Sequence, residues 1–192
     1  MDRPVQMLSL IGGLLFAGLL TSSCGSDDES APAGGICTGA GCSCTAPAIC
    51  TCASGVDCKA SCGAQNCSLD CATGTKCEAS SSGSVTIQCA ESAECKGGGG
   101  DGSHVTCNAS SKCELKAGAQ SVATCRNRAT CKFDLGTGST ISCESGSSCD
   151  IKCESNCNVT CAPDATCKLS CGADGGVAGT QCPDGRLICG TC

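Results

Sequence analysis

The feature that most restricts this chain is the spacing of its cysteines. From Cys71 they recur at Cys89, Cys107, Cys125, Cys143 and Cys161, a step of 18 residues. A second series runs six residues behind, at Cys77, Cys95, Cys113, Cys131, Cys149 and Cys167. The unit is C-x5-C-x11, repeated six times without a slip. Cys52 and Cys58 form an earlier copy one residue out of phase, and Cys44 with Cys50 repeats the six-residue spacing. A fixed period of this kind marks a repeat architecture, in which each unit buries its apolar face only against its neighbours.

The other columns of the repeat say what the unit is. Two residues before the first Cys stand Ile87, Val105, Ala123, Ile141 and Val159, and two after the second stand Ala79, Gly97, Leu115, Phe133, Ile151 and Leu169. Two before the second Cys the column is small: Thr75, Ala93, Ser111, Ala129, Ser147 and Ala165. Apolar or small residues thus alternate with polar ones, the period-two pattern of strands with one buried face. Gly100, Gly118, Gly136 and Gly172 fall between the two strand stretches and predict a corner.

Charge fixes how the units stack. Immediately after the second Cys of successive units come Lys59, Glu78, Lys96, Glu114, Lys132, Asp150 and Lys168, each opposite in sign to the next. Immediately before it, Asp57, Lys76, Glu94 and Lys112 alternate the other way. Parallel stacking in register puts each charge about 4.8 Å from its opposite on the next coil. An antiparallel meander would reverse alternate strands and separate equivalent positions. The fold class is therefore all-β: a parallel β-solenoid of 18 residues per coil, stapled by disulfides. A right-handed or flattened helix is expected. Left-handed hexapeptide helices share the 18-residue coil but need an aliphatic residue every six positions, and the third hexad here begins with Gly83, Asp101, Ala119, Thr137, Ser155 and Ala173.

Composition explains why sulfur is needed. The chain has 27 Cys and 27 Gly, no Trp or Tyr, and only Phe16 and Phe133 as aromatics, so a large conventional core is out of reach. Fully extended, a six-residue step would part the two Cys of a unit by about 20 Å, whereas a bridge needs Cα atoms within about 7 Å. The chain must turn between them, and Gly74, Ser92, Ser110, Gly146 and Asp164 stand midway as turn formers. The predicted bridges are Cys71–Cys77, Cys89–Cys95, Cys107–Cys113, Cys125–Cys131, Cys143–Cys149 and Cys161–Cys167. The C-x5-C spacing with inward Cys is similar to that of beetle antifreeze proteins, which are disulfide-bridged β-helices; the likeness covers the pairs and the solenoid, not the coil length. The other cysteines, from Cys37 to Cys67 and from Cys153 to Cys192, are expected to pair locally and thicken the ends.

The N-terminus reads as an address. Arg3 precedes an apolar stretch from Leu8 to Leu20, of signal-peptide length and short for a transmembrane span. It ends in Leu20-Thr21-Ser22-Ser23-Cys24, which resembles the lipobox of bacterial lipoproteins, with Thr21 where that family has an aliphatic residue. The resemblance implies cleavage before Cys24, lipidation of Cys24 and, with Gly25 rather than Asp next, sorting to the outer membrane. Removing Cys24 leaves an even number of cysteines for bridges. The expected layout is a signal peptide (1–23), a lipidated Cys with an acidic tether (24–36), a Cys-rich N-terminal cap (37–70), six repeats (71–178) and a C-terminal cap (179–192).

What remains is a structural or binding module rather than an enzyme. A formal charge of −6 argues against nucleic acid. His104 is the one histidine, on an outward strand position, and no partner constellation for catalysis accompanies it. The alternative is a metal-binding envelope protein. Cys42-Ser43-Cys44, Cys50-Thr51-Cys52 and Cys189-Gly190-Thr191-Cys192 have thiolate-ligand spacing, and Gly97 to Gly102 is similar to the Gly/Asp turns of calcium-binding β-rolls, although it occurs once. The last of those motifs is also spaced as a redox pair. A double row of Thr for ice binding is not maintained in the outward columns. No cofactor is expected; the partners are the membrane, through Cys24, and another envelope protein or a polysaccharide.

Overall fold

Alternating burial carries straight into strand structure. In Ser148–Cys153, for example, Cys149, Ile151 and Cys153 are buried while Ser148 and Asp150 are exposed. The computed structural model describes residues 36–38, 42–46, 49–64 and 66–192. The apolar leader, Cys24 and the acidic tether as far as residue 35 lie outside the described residues, and residue 36 opens the strand Ile36–Thr38.

Each coil contributes one strand to each of two sheets. One sheet runs through the parallel strands Cys58–Ser61, Lys76–Ser80, Glu94–Gly99, Lys112–Ala117, Thr130–Leu135, Ser148–Cys153 and Thr166–Cys171. The other runs through Ile49–Cys52, Cys67–Cys71, Val85–Cys89, His104–Cys107, Val122–Cys125, Thr140–Cys143 and Asn158–Cys161. Seven coils result, a rod about 30 Å long at the usual strand spacing. Two sheets per coil, rather than three, set it apart from the triangular hexapeptide helix.

Between the sheets the core is a set of inward columns. Ile87, Val105, Ala123, Ile141 and Val159 from one sheet meet Ala79, Leu115, Phe133, Ile151 and Leu169 from the other, all buried. Stacks of Cys flank them. The extra residue in the first coil is absorbed at one corner: Ser61 pairs with Ser80 and Cys67 with Val85, so five residues there match four in the next coil.

Both open ends are closed by antiparallel strands. Ile36–Thr38 lies against Cys58–Ser61, and Cys42–Ala46 against Ile49–Cys52. Cys44 therefore faces Cys50 across a hairpin, so their six-residue spacing belongs to a cap and not to another coil. At the far end Val177–Ala178 turns back on Cys171 and Ser170, and Leu187–Ile188 covers Asn158–Val159. Reversing direction ends the parallel stacking that an exposed edge would invite.

Two corners join the strands of a coil, for different reasons. At the first, between the paired Cys, Gly74, Ser92, Ser110, Arg128 and Gly146 have φ of 70°, 57°, 57°, 64° and 67°, left-handed values that let so short a link reverse. Asp164, after Pro163, does not adopt it. At the second corner Gly100, Gly118 and Gly136 have another purpose, whereas Gly172 is left-handed at φ 90° with nothing within 4 Å of its Cβ position. Gly118 and Gly136 are not left-handed; a Cβ on Gly136 would come within 2.7 Å of the backbone N of Ala119, one coil back. Coil-to-coil approach, not φ, excludes a side chain there.

Candidate binding faces and the sulfur stack

At the first corner the inward Cys of each coil face one another across the turn. The structure joins Cys71 to Cys77, Cys89 to Cys95, Cys107 to Cys113, Cys125 to Cys131, Cys143 to Cys149 and Cys161 to Cys167, with Cys52–Cys58 below them. Their Cα atoms are 6.0–6.5 Å apart, within the range a bridge accepts. Each closes so short a loop that the chain-entropy gain is about 2 kcal/mol.

Among the described residues the second corner is bridged only near the ends of the rod, by Cys62–Cys67, Cys153–Cys157 and Cys171–Cys189. The central coils use serine instead. Ser103, Ser121 and Ser139 are buried, and their Oγ atoms donate to the carbonyls of Gly100, Gly118 and Gly136 at 2.8, 2.9 and 2.9 Å. Each also accepts a backbone N–H from the preceding coil: Val85 on Ser103 at 3.1 Å, Ser103 on Ser121 at 3.3 Å and Ser121 on Ser139 at 3.2 Å. One position later in the stack stands Cys157. Nothing in the cysteine period points to this serine ladder, although the 18-residue step of the serines themselves could have revealed it.

The outward positions of the two sheets differ sharply in charge. All eight lysines of the chain lie on the sheet from Cys58–Ser61 to Thr166–Cys171. There Lys59, Glu78, Lys96, Glu114, Lys132, Asp150 and Lys168 are register partners from coil to coil. Lys59 meets Glu78 at 3.4 Å and Lys132 meets Glu114 at 3.9 Å. A third charged column, not picked out by the spacing argument, runs through Lys116, Asp134 and Lys152, with Asp134 3.7 and 3.8 Å from the two lysines. Together the columns make a checkerboard, with a depression of about 400 Å³ over Asp57, Lys59, Lys76, Glu78, Glu94 and Lys96.

The opposite face is almost without charge. Outward on its strands stand Thr86 and Gln88, His104 and Thr106, Val122 and Thr124, Thr140 and Ser142, Asn158 and Thr160, with Asp70 the one carboxylate among these outward positions in the described strands. His104 is exposed there, in register with Thr86 on one side and Val122 on the other.

Of the cysteines with thiolate-ligand spacing, Cys50, Cys52, Cys189 and Cys192 are in bridges, and the side chains of Cys42 and Cys44 lie outside the described residues. Sγ atoms do gather in threes within 4.8 Å, as in Cys89, Cys95 and Cys113, but each of these sulfurs is in a bridge, so a thiolate site would need those bridges opened. Cys189 and Cys192 belong to different bridges, to Cys171 and Cys182, and so do not form a redox pair. Asp101, in the glycine-rich turn, accepts the backbone N–H of Ala119 at 2.8 Å and ties its corner to the next coil. At the rim, the Ser145 hydroxyl donates to Asp164 at 2.6 Å and holds its carboxyl below the ordinary value. The backbone N–H of Arg186, and then its guanidinium, do the same for Asp184.

Comparison with known proteins finds no match to this chain among family models, curated proteins or solved structures.

Proposed function

We propose that the chain is a non-enzymatic lipoprotein of the bacterial cell envelope, a stapled rod that binds through its sheet faces. The observation that carries this reading is the segregation of charge: every lysine stands on one face while the other presents hydroxyls and amides. The neutral face suits an uncharged polysaccharide, which hydrogen-bonds without having to displace counterions. The checkerboard face suits a protein surface of matched charges, where such patterns set register more than affinity. Export to an oxidising compartment is supported by the apolar leader and by the density of bridges. Attachment through Cys24 and sorting to the outer membrane rest on the lipobox-like residues.

Two experiments test it. Metabolic labelling with an alkyne fatty acid should mark the wild-type protein in the membrane fraction and leave Cys24→Ser unlabelled. Co-sedimentation with insoluble envelope polysaccharide should be lost in Thr106→Lys/Thr124→Lys and kept in Lys132→Glu. Equal binding by both variants would remove the neutral face from the proposal.

A further inference from the structure

The bridges of the first corner do not all meet solvent equally. Cys52–Cys58 through Cys143–Cys149 are buried. Cys161 and Cys167 are half-exposed, because theirs is the last parallel coil. The sulfur of Cys167 also lies within 4.8 Å of both sulfurs of the bridge behind it, Cys143–Cys149. Cys167 sits in register on Cys149, and neighbouring parallel strands are spaced about 4.8 Å apart, which lies inside the Cα separation a disulfide accepts.

We propose that Cys161–Cys167 is a thiol–disulfide exchange site for low-molecular-weight thiols, and that it passes the exchange inward to Cys143–Cys149. A thiolate from solvent attacks Cys161; the Cys161–Cys167 bond breaks, a mixed disulfide forms on Cys161, and its electron pair leaves on Cys167. The Cys167 thiolate then attacks Cys149. The Cys143–Cys149 bond breaks, Cys149–Cys167 forms, and Cys143 takes up the proton the reagent gave to solvent. No net oxidation or reduction occurs, and one thiol is present at each stage. Such exchange runs through a thiolate and an accessible sulfur. The half-exposed coil supplies access, and the stack supplies the next disulfide.

The test is brief exposure of the folded full chain to reduced glutathione at alkaline pH, acid quenching, alkylation and peptide mapping without reduction. Glutathione should add to Cys161 at least about tenfold faster than to any buried first-corner bridge. A Cys149–Cys167 cross-link should appear together with alkylated Cys143. Adducts on the exposed Cys192 are scored separately. In Cys161→Ser, which needs no reagent, alkylation should divide between Cys167 and Cys143. Label confined to Cys167 in both proteins, or adducts arising first on buried coils, would overturn the proposal.

Discussion

The backbone N–H of Ser103 donates to the Oγ of Ser121, one coil further on, while that same hydroxyl donates to Gly118 within its own coil. One buried side chain thus closes its corner and ties it to the coil behind. Ser121→Ala would strand the buried N–H of Ser103, at a cost of about 1–3 kcal/mol, while the Gly118 carbonyl keeps the Gly136 N–H at 3.2 Å. Ser111, equally buried at the opposite corner, has no partner for its hydroxyl, so Ser111→Ala should be neutral or slightly stabilising. Denaturant unfolding of the two variants separates them.

Glycines in the same coils should respond oppositely. An alanine Cβ at Gly118 would press within 2.8 Å of the Asp101 backbone N and displace a coil, costing about 1–3 kcal/mol. At Gly98, where nothing lies within 4 Å, alanine should raise stability by about 0.5 kcal/mol through the unfolded chain. Paired thermal melts of the two variants make the comparison.

The charge ladder makes an unusual prediction for a double-mutant cycle. Lys96 is a register partner of both Glu78 and Glu114, and Glu114 is a partner of both Lys96 and Lys132. Lys96→Glu makes two like-charge contacts, and so does Glu114→Lys. The double variant re-forms the central pair but keeps a clash on each side. It should therefore be no less stable than either single variant, each costing about 1 kcal/mol at low salt. Additive losses would mean that the two positions are not neighbours.

Acid should loosen the C-terminal end. Asp164 and Asp184 both titrate below their ordinary value of 3.8 in the folded protein. Their contribution is present above that pH and fades as pH falls through the folded values, because the unfolded chain takes up protons first. Asp164→Asn/Asp184→Asn should flatten the stability profile below about pH 4, as read by unfolding at a series of acidic pH values.

Much of this architecture can be read from residue columns alone. The period of Cys71 to Cys161, the alternation around Ile87 or Ile151, and the sign changes from Lys59 to Lys168 lead to coils, strands and parallel register because each is a nearest-neighbour property. What lay beyond them depends on the third dimension. Cys44 and Cys50 copy the six-residue step, yet they face each other in an antiparallel cap, since the hydrogen-bonding direction of a terminal strand leaves no trace in spacing. Gly118 looks like a turn glycine and is instead excluded from carrying a side chain by the backbone of Asp101. The near-neutral face appears only when seven strands are laid side by side, because no single coil holds more than two of its outward residues.

The central claim is that each coil is closed by its own two sulfurs. Protease digestion of the oxidised protein, with mapping of the linked peptides, tests it directly. The expected links are Cys71–Cys77, Cys89–Cys95, Cys107–Cys113, Cys125–Cys131, Cys143–Cys149 and Cys161–Cys167, with almost no free thiol. Predominant links between coils, adjacent or distant, or a majority of free sulfurs, would contradict it.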